Sequence, residues 1–231
     1  MSFVVLIPLH RSPGRTFVWA ARLARRLNAV VVVGYPEWCN VSGSLFNSQM
    51  AVGPCGGVLA NHRKAHLYVE DKTWAQEGGR GFATVTLPRS GVLCALGICM
   101  DINPYEFKDY GQFELAQAAV AAGARCLLFS SAWCRLEEEV DEEDADEEGD
   151  DDELVAETVH YWLSRLRPFA AVGGVFVCAD RVGREGQVPC RPLLSARQNA
   201  ALRAEHCPNL CRAVARLNPE RASVAVPVSF P

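Results

Sequence analysis

Two hydrophobic periodicities take turns along the chain. From Thr16 to Asn28, apolar Phe17, Ala20, Ala21, Ala24 and Leu27 recur at helical spacing with arginines between them, which predicts an amphipathic helix. "AVVVVGYPE" (29–37) is continuous, β-branched and short, the pattern of a strand buried on both faces. Residues 44–64 predict two strands around a glycine-rich turn at Gly53–Gly57, and "FATVTLP" and "GVLCALGICM" predict the next pair. Helical spacing returns from Gln112 to Ala122, and "RCLLFSSAW" (125–133) predicts another buried strand. "VAETVHYWLSRLRPFAAV" predicts a helix that runs to Pro168, followed by a strand in "GGVFVCADRVG". This order predicts an α/β chain with a mostly buried sheet and helices outside it. The tail from Gln187 to Pro231, rich in Ala, Arg and Pro, predicts one or two short helices.

Bulk properties narrow this picture. A length of 231 residues with 49% apolar content suits one large domain with a sizeable core. No apolar run approaches the ~18 residues of a membrane helix, and no basic segment precedes the apolar start. A soluble protein of the cytoplasm, or alternatively the nucleus, with no membrane partner is therefore expected. The ten cysteines are scattered through apolar stretches, which predicts free thiols in a reducing compartment.

The net charge of −4 hides an asymmetry. Residues 137–153 hold 14 acids in 17 positions; the rest of the chain then has 13 acids against 23 basic residues. So dense a run of like charge repels itself and buries nothing, which predicts a disordered insertion far from any site. The basic remainder is diffuse and lacks a phosphate-cradling glycine loop, so no nucleic-acid partner is expected.

Two segments carry candidate chemistry. "LGICMDINPYEF" (96–107) ends an apolar run on Cys99 and turns at once through Asn103-Pro104. Taken alone, Cys99 reads more readily as a core thiol than as a nucleophile. "NHRKAHLY" (61–68) places Lys64 just past a predicted strand pair, flanked by His62 and His66. A zinc module built on Cys207, Cys211, His62 and His66 is a weak alternative, because structural zinc sites favour C-x₂-C pairs. No metal or other cofactor is expected.

Together these segments resemble the carbon–nitrogen hydrolase (nitrilase) superfamily. "VVVVGYPE", "LFNSQMAVGPCGGVLANHRKAHLY", "TWAQEGGRGF", "LGICMDINPYEF", "LLFSSAW" and "ADRVGREG" follow its order and rough spacing. "HRKAHLY" and "GICMDINPY" are similar to its protein N-terminal amidase branch, which removes the side-chain amide of N-terminal Asn or Gln in the N-degron pathway. The resemblance implies an α-β-β-α sandwich, with a domain over residues 1–186 and a divergent tail over 187–231. It implies Cys99 as nucleophile, Lys64 as stabiliser of thiolate and oxyanion, and the backbone N–H of Met100 as an oxyanion donor. It also implies peptides with N-terminal Asn or Gln as partners, and allows a homo-oligomer.

The resemblance has gaps. The family needs a general-base Glu before the helix here at Thr16–Asn28, and the sequence shows none there. Glu37, in "GYPEW", resembles a later position. Glu70 and Asp71 are candidates for a second acid after the Lys, Glu70 being the one carried forward. The expected sandwich is thus incomplete at both ends, lacking its first strand and closing segment. A catalytically dead relative that acts by binding a partner is the alternative to the amidase.

Overall fold

A computed structural model describes residues 14–79, 81–133 and 151–180. The insertion at 137–150, the tail at 187–231, and Cys207 and Cys211 lie outside the described residues. Helix α1 (Arg15–Leu27) leads into a three-stranded antiparallel sheet of β1 (Val31–Cys39), β2 (Ser44–Val52) and β3 (Val58–Arg63), in that spatial order. A second sheet follows: β4 (Thr84–Thr86), β5 (Leu93–Ile98), β6 (Cys126–Ser131) and β7 (Val175–Asp180), again in order. Its first pair is antiparallel, while β5, β6 and β7 run parallel. Helices α2 (Glu114–Ala121), α3 (Asp151–Arg165) and α4 (Arg167–Ala171) make the crossovers.

Three apolar clusters stack as layers. Ala20, Ala21 and Ala24 of α1 pack on Met50 and Val52, together with Val31 and Val33. Ala51 meets Cys94, Leu96 and Val85 between the sheets, where Val32 and Leu128 also contribute. On the far face of the second sheet, Leu115, Ala116 and Ala119 of α2, Trp162 and Leu166 and Phe169 pack on Leu127, Phe129 and Phe176. This is the expected α-β-β-α sandwich. A polar tie crosses it, as Gln49 Nε2 donates to Ser130 Oγ at 2.6 Å. Gly97 lets α2 lie close, since a Cβ there would stand 2.9 Å from Leu115 Cδ2.

Three expectations are corrected. β1 is packed against α1 on one face and the second sheet on the other, yet it is only half-buried, because among the described residues it is an edge strand. Pro168 does not end a helix; the break falls at Leu166, and Pro168 sits in the first turn of α4, where a missing N–H costs nothing. Residues 151–153 of the acidic run belong to α3 rather than to a loop. Carboxylates are favoured at a helix N-terminus, where the macrodipole is positive. Six described cysteines, Cys39, Cys55, Cys94, Cys99, Cys126 and Cys178, are free thiols.

Candidate active site

Each sheet ends a strand on a residue of interest. β5 stops at Ile98, and Cys99 begins a 3₁₀ turn over Cys99–Ile102. Cys99 has φ of +43°, a left-handed conformation that costs a non-glycine residue of order 1–3 kcal/mol unless its surroundings hold it. Asp101 is the holder. Its fully buried carboxylate accepts the N–H of Ile98 and, from the other sheet's loop, the N–H groups of Ala65 and His66, each at 2.9 Å. His62 Nε2 lies 2.8 Å from the same carboxylate. Burial alone would push this carboxyl up; the His62 bond and charge, the His66 N–H and the Lys64 charge outweigh it and hold it below the ordinary aspartate range.

β3 stops at Arg63, and Lys64 follows. Its backbone N–H donates to Asn47 O at 2.7 Å. Its ammonium donates to Asp71 Oδ2, and both side chains are only 2% exposed. Asp71 opens a short 3₁₀ turn and also accepts from Asn47 Nδ2 at 2.9 Å and the Tyr68 N–H at 3.0 Å. Three donors hold this buried carboxylate in one orientation, and it in turn fixes the ammonium in place.

Lys64, Asp71, Cys99 and Met100 line one cavity of about 470 Å³. Phe107, Tyr110, Trp133 and Tyr161 supply aromatic walls, and Glu157 lines it from α3. The Cys99 residue is partly exposed, but its thiol is set deep. Burial pushes the thiol up, the Lys64 ammonium, the Ser131 hydroxyl and the Ala132 N–H pull it down, and the Asp180 charge raises it again; the balance lies above the ordinary thiol value. Attack on a carbonyl by a thiol raised in this way needs a proton acceptor. The Met100 amide is among the first of the 3₁₀ turn, amides that helical geometry leaves without an acceptor inside the turn.

The structure thus brings together Cys99, Lys64 and Met100. Glu70 is not with them: it is exposed, outside the cavity lining, with its backbone carbonyl accepting the Thr73 hydroxyl. The acid beside the lysine is its neighbour Asp71. Glu37 is engaged elsewhere, bonded to Arg63 Nη2 at 2.5 Å, and to Ser48 and Asn61 at 2.7 Å each. It ties three strands and does not line the cavity. His62 and His66 point to separate acceptors, Asp101 and Asn103 O, rather than to a shared metal. The sequence puts Asp101 in the Asp101–Pro104 turn that would hold Cys99, but it gave no sign of the bonds to Ala65 and His66 or of Trp133, Glu157 and Tyr161 as walls. Helical spacing of Glu157 and Tyr161, four residues apart, was the available signal.

A model of the carbon–nitrogen hydrolase family matches residues 8–135. The chain belongs to that family. The protein N-terminal amidase of Schizosaccharomyces pombe is 28% identical over 189 residues, covering 74% of this chain and 62% of that one. A crystal structure of an N-terminal amidase superposes with a TM-score of 0.50 at 26% identity, over 59% of this chain and 35% of the other. The carbon–nitrogen hydrolase of Helicobacter pylori G27 shares the fold, with a TM-score of 0.57 at 22% identity over 77% and 56% of the two chains. The chain therefore spans less than two thirds of these relatives.

Proposed function

We propose that the Cys99 cavity is an amidase site for peptides that begin with Asn or Gln. The observation that carries this reading is the meeting of Cys99 and Lys64 in one cavity, each placed just beyond the end of a strand of a different sheet. In the proposed reaction the Cys99 thiolate attacks the side-chain amide carbon. The carbonyl electrons move to oxygen, where the Lys64 ammonium and the Met100 N–H stabilise the charge. The nitrogen takes a proton and leaves as ammonia, giving a thioester. Water then adds, the C–S bond breaks, and the carboxylate product leaves with the thiol restored.

Among the described residues the proton acceptor is the unfilled role. Glu37 is spent on Arg63, Glu70 faces solvent, Asp71 is committed to Lys64 and Glu157 is an exposed residue of the lining. This favours a second reading, a relative that binds the same peptides and turns them over slowly or not at all. Loss of proton transfer typically removes ~10²–10⁴ from each step it serves. The test is ammonia release from an Asn-initiated peptide, with mass spectrometry for a Cys99 adduct equal to the peptide less ammonia. Release or adduct that vanishes in Cys99→Ala supports the amidase. Binding of the peptide without either product supports the second reading, and no binding at all overturns both.

A further inference from the structure

We propose that Glu157 and the aromatic side chains around it form a subsite for the primary ammonium of a peptide N-terminus entering the Cys99 cavity. This rests on the reading above, and it names the group that would select free N-termini over internal residues.

Charge balance in the cavity comes first. Among the described lining residues the one cation, Lys64, is matched by Asp71. Glu157 lines the same cavity and is exposed, and among the described residues no hydrogen bond or ion pair engages its carboxylate. Among the described residues the lining thus carries one surplus negative charge.

Position comes second. Tyr161 is four residues on from Glu157, so the two share a face of α3, about 6 Å apart along its axis. The Tyr161 hydroxyl donates to Asn103 Oδ1, four residues after the nucleophile. Trp133 packs on Tyr161 with ring centroids 6.0 Å apart at 45°. This end of α3 is therefore pinned to the Cys99 turn, and Glu157 is carried one turn back along the same wall.

Chemistry comes third. In an N-terminal Asn or Gln, only a few bonds separate the α-ammonium from the amide carbon. With the amide carbon at Cys99, the ammonium must be met inside this same cavity. A carboxylate that lines the same cavity as Trp133 and Tyr161 suits a primary ammonium, because rings attract a cation that the carboxylate orients. An acetylated or internal residue has no charge to place there.

The experiment measures binding by calorimetry to the Cys99→Ala chain, which cannot turn the peptide over. The ligands are an Asn-initiated peptide with a free amine and its N-acetyl form. The free peptide is expected to bind at least about tenfold more tightly, the scale of a hydrogen bond to a charged group. Adding Glu157→Gln should reduce this preference to about twofold or less and leave the acetyl peptide unchanged. Glu157 is exposed, so the substitution is expected to leave the fold intact, and far-UV circular dichroism checks it. A preference for the free amine that survives Glu157→Gln overturns the assignment of Glu157 but leaves the peptide-amidase reading standing. Equal binding of both peptides overturns the ammonium subsite itself. Absence of binding by either peptide overturns the subsite and the reading beneath it.

Discussion

Lys64 and Asp71 form a buried ion pair in the wall of the cavity that also holds Cys99. Removing one partner leaves the other as an uncompensated buried charge, which typically costs about 3–5 kcal/mol, whereas replacing both with apolar groups is often near neutral. Asp71→Ala is therefore expected to lower unfolding stability by about that amount. Adding Lys64→Met to Asp71→Ala should recover most of the loss. Urea unfolding of the wild type, the single variant and the double variant decides it. A double variant less stable than Asp71→Ala would show that the pair is net stabilising and not merely compensated.

Cys99 makes a prediction of opposite sign to the usual rule. Glycine normally destabilises relative to alanine by about 0.5–1 kcal/mol, but at positive φ the Cβ itself is the burden. With φ of +43° at Cys99, Cys99→Gly should be more stable than Cys99→Ala by about 1 kcal/mol. Chemical denaturation of the two variants reads this difference directly. An alanine variant more stable than the glycine variant would mean that the turn relaxes out of the left-handed region when the thiol is lost.

The two ends of the site were unequally legible in the sequence. The strand pair expected over 44–64 and the apolar run expected to end on Cys99 came within a residue or two of the ends at Arg63 and Ile98, and the motifs around Lys64 and Cys99 pointed to the family. The choice between Glu70 and Asp71 did not follow, because adjacent residues of a short turn point different ways and no periodicity sorts them. Asp101 read as a turn residue; that its carboxylate reaches across to Ala65 and His66 depends on how two sheets meet. Glu157 was hidden by the acidic run just before it, since dense charge reads as solvated surface whatever face it shares with Tyr161. The start of α3 was masked in the same way, because like charges along the run repel one another while a helix N-terminus attracts them.

Thiol reactivity should separate Cys39 from Cys99. The Ser42 hydroxyl and amide, then the Val41 amide and Arg63, hold the Cys39 thiol down at about 7, while burial pushes Cys99 up. At pH 7.5, limiting iodoacetamide is expected to label Cys39 well before Cys99, read by peptide mass spectrometry. Labelling of Cys39 should level off as pH rises past its value. Labelling of Cys99 should keep climbing beyond the ordinary thiol range near 8.5. Faster labelling of Cys99 at neutral pH would mean that Lys64 wins over burial and that the site is armed at rest.

Acid should act on the fold through Asp101. Its carboxyl is held below the ordinary value of about 3.9, so the folded state binds its proton more weakly than the unfolded state does. The resulting stability is fully present above that ordinary value. It is lost as pH falls below it and through the depressed folded value, because protonation then discards the charge that four donors were arranged to meet. Asp101→Asn removes the titration while keeping a similar shape. At pH 7 this variant is expected to be less stable than wild type by about 1.5–3 kcal/mol, the scale of hydrogen bonds to a charged group. Between about pH 4 and pH 2 its urea midpoint should fall less steeply than the wild-type midpoint, so that the two curves converge. The same loss should loosen the tie between the Cys99 turn and the Lys64 segment, and the peptide-binding measurement on the Cys99→Ala background supplies a second reading of it. Wild-type and variant midpoints that fall in parallel with acid would show that other carboxylates set the acid limit and that Asp101 acts only through shape.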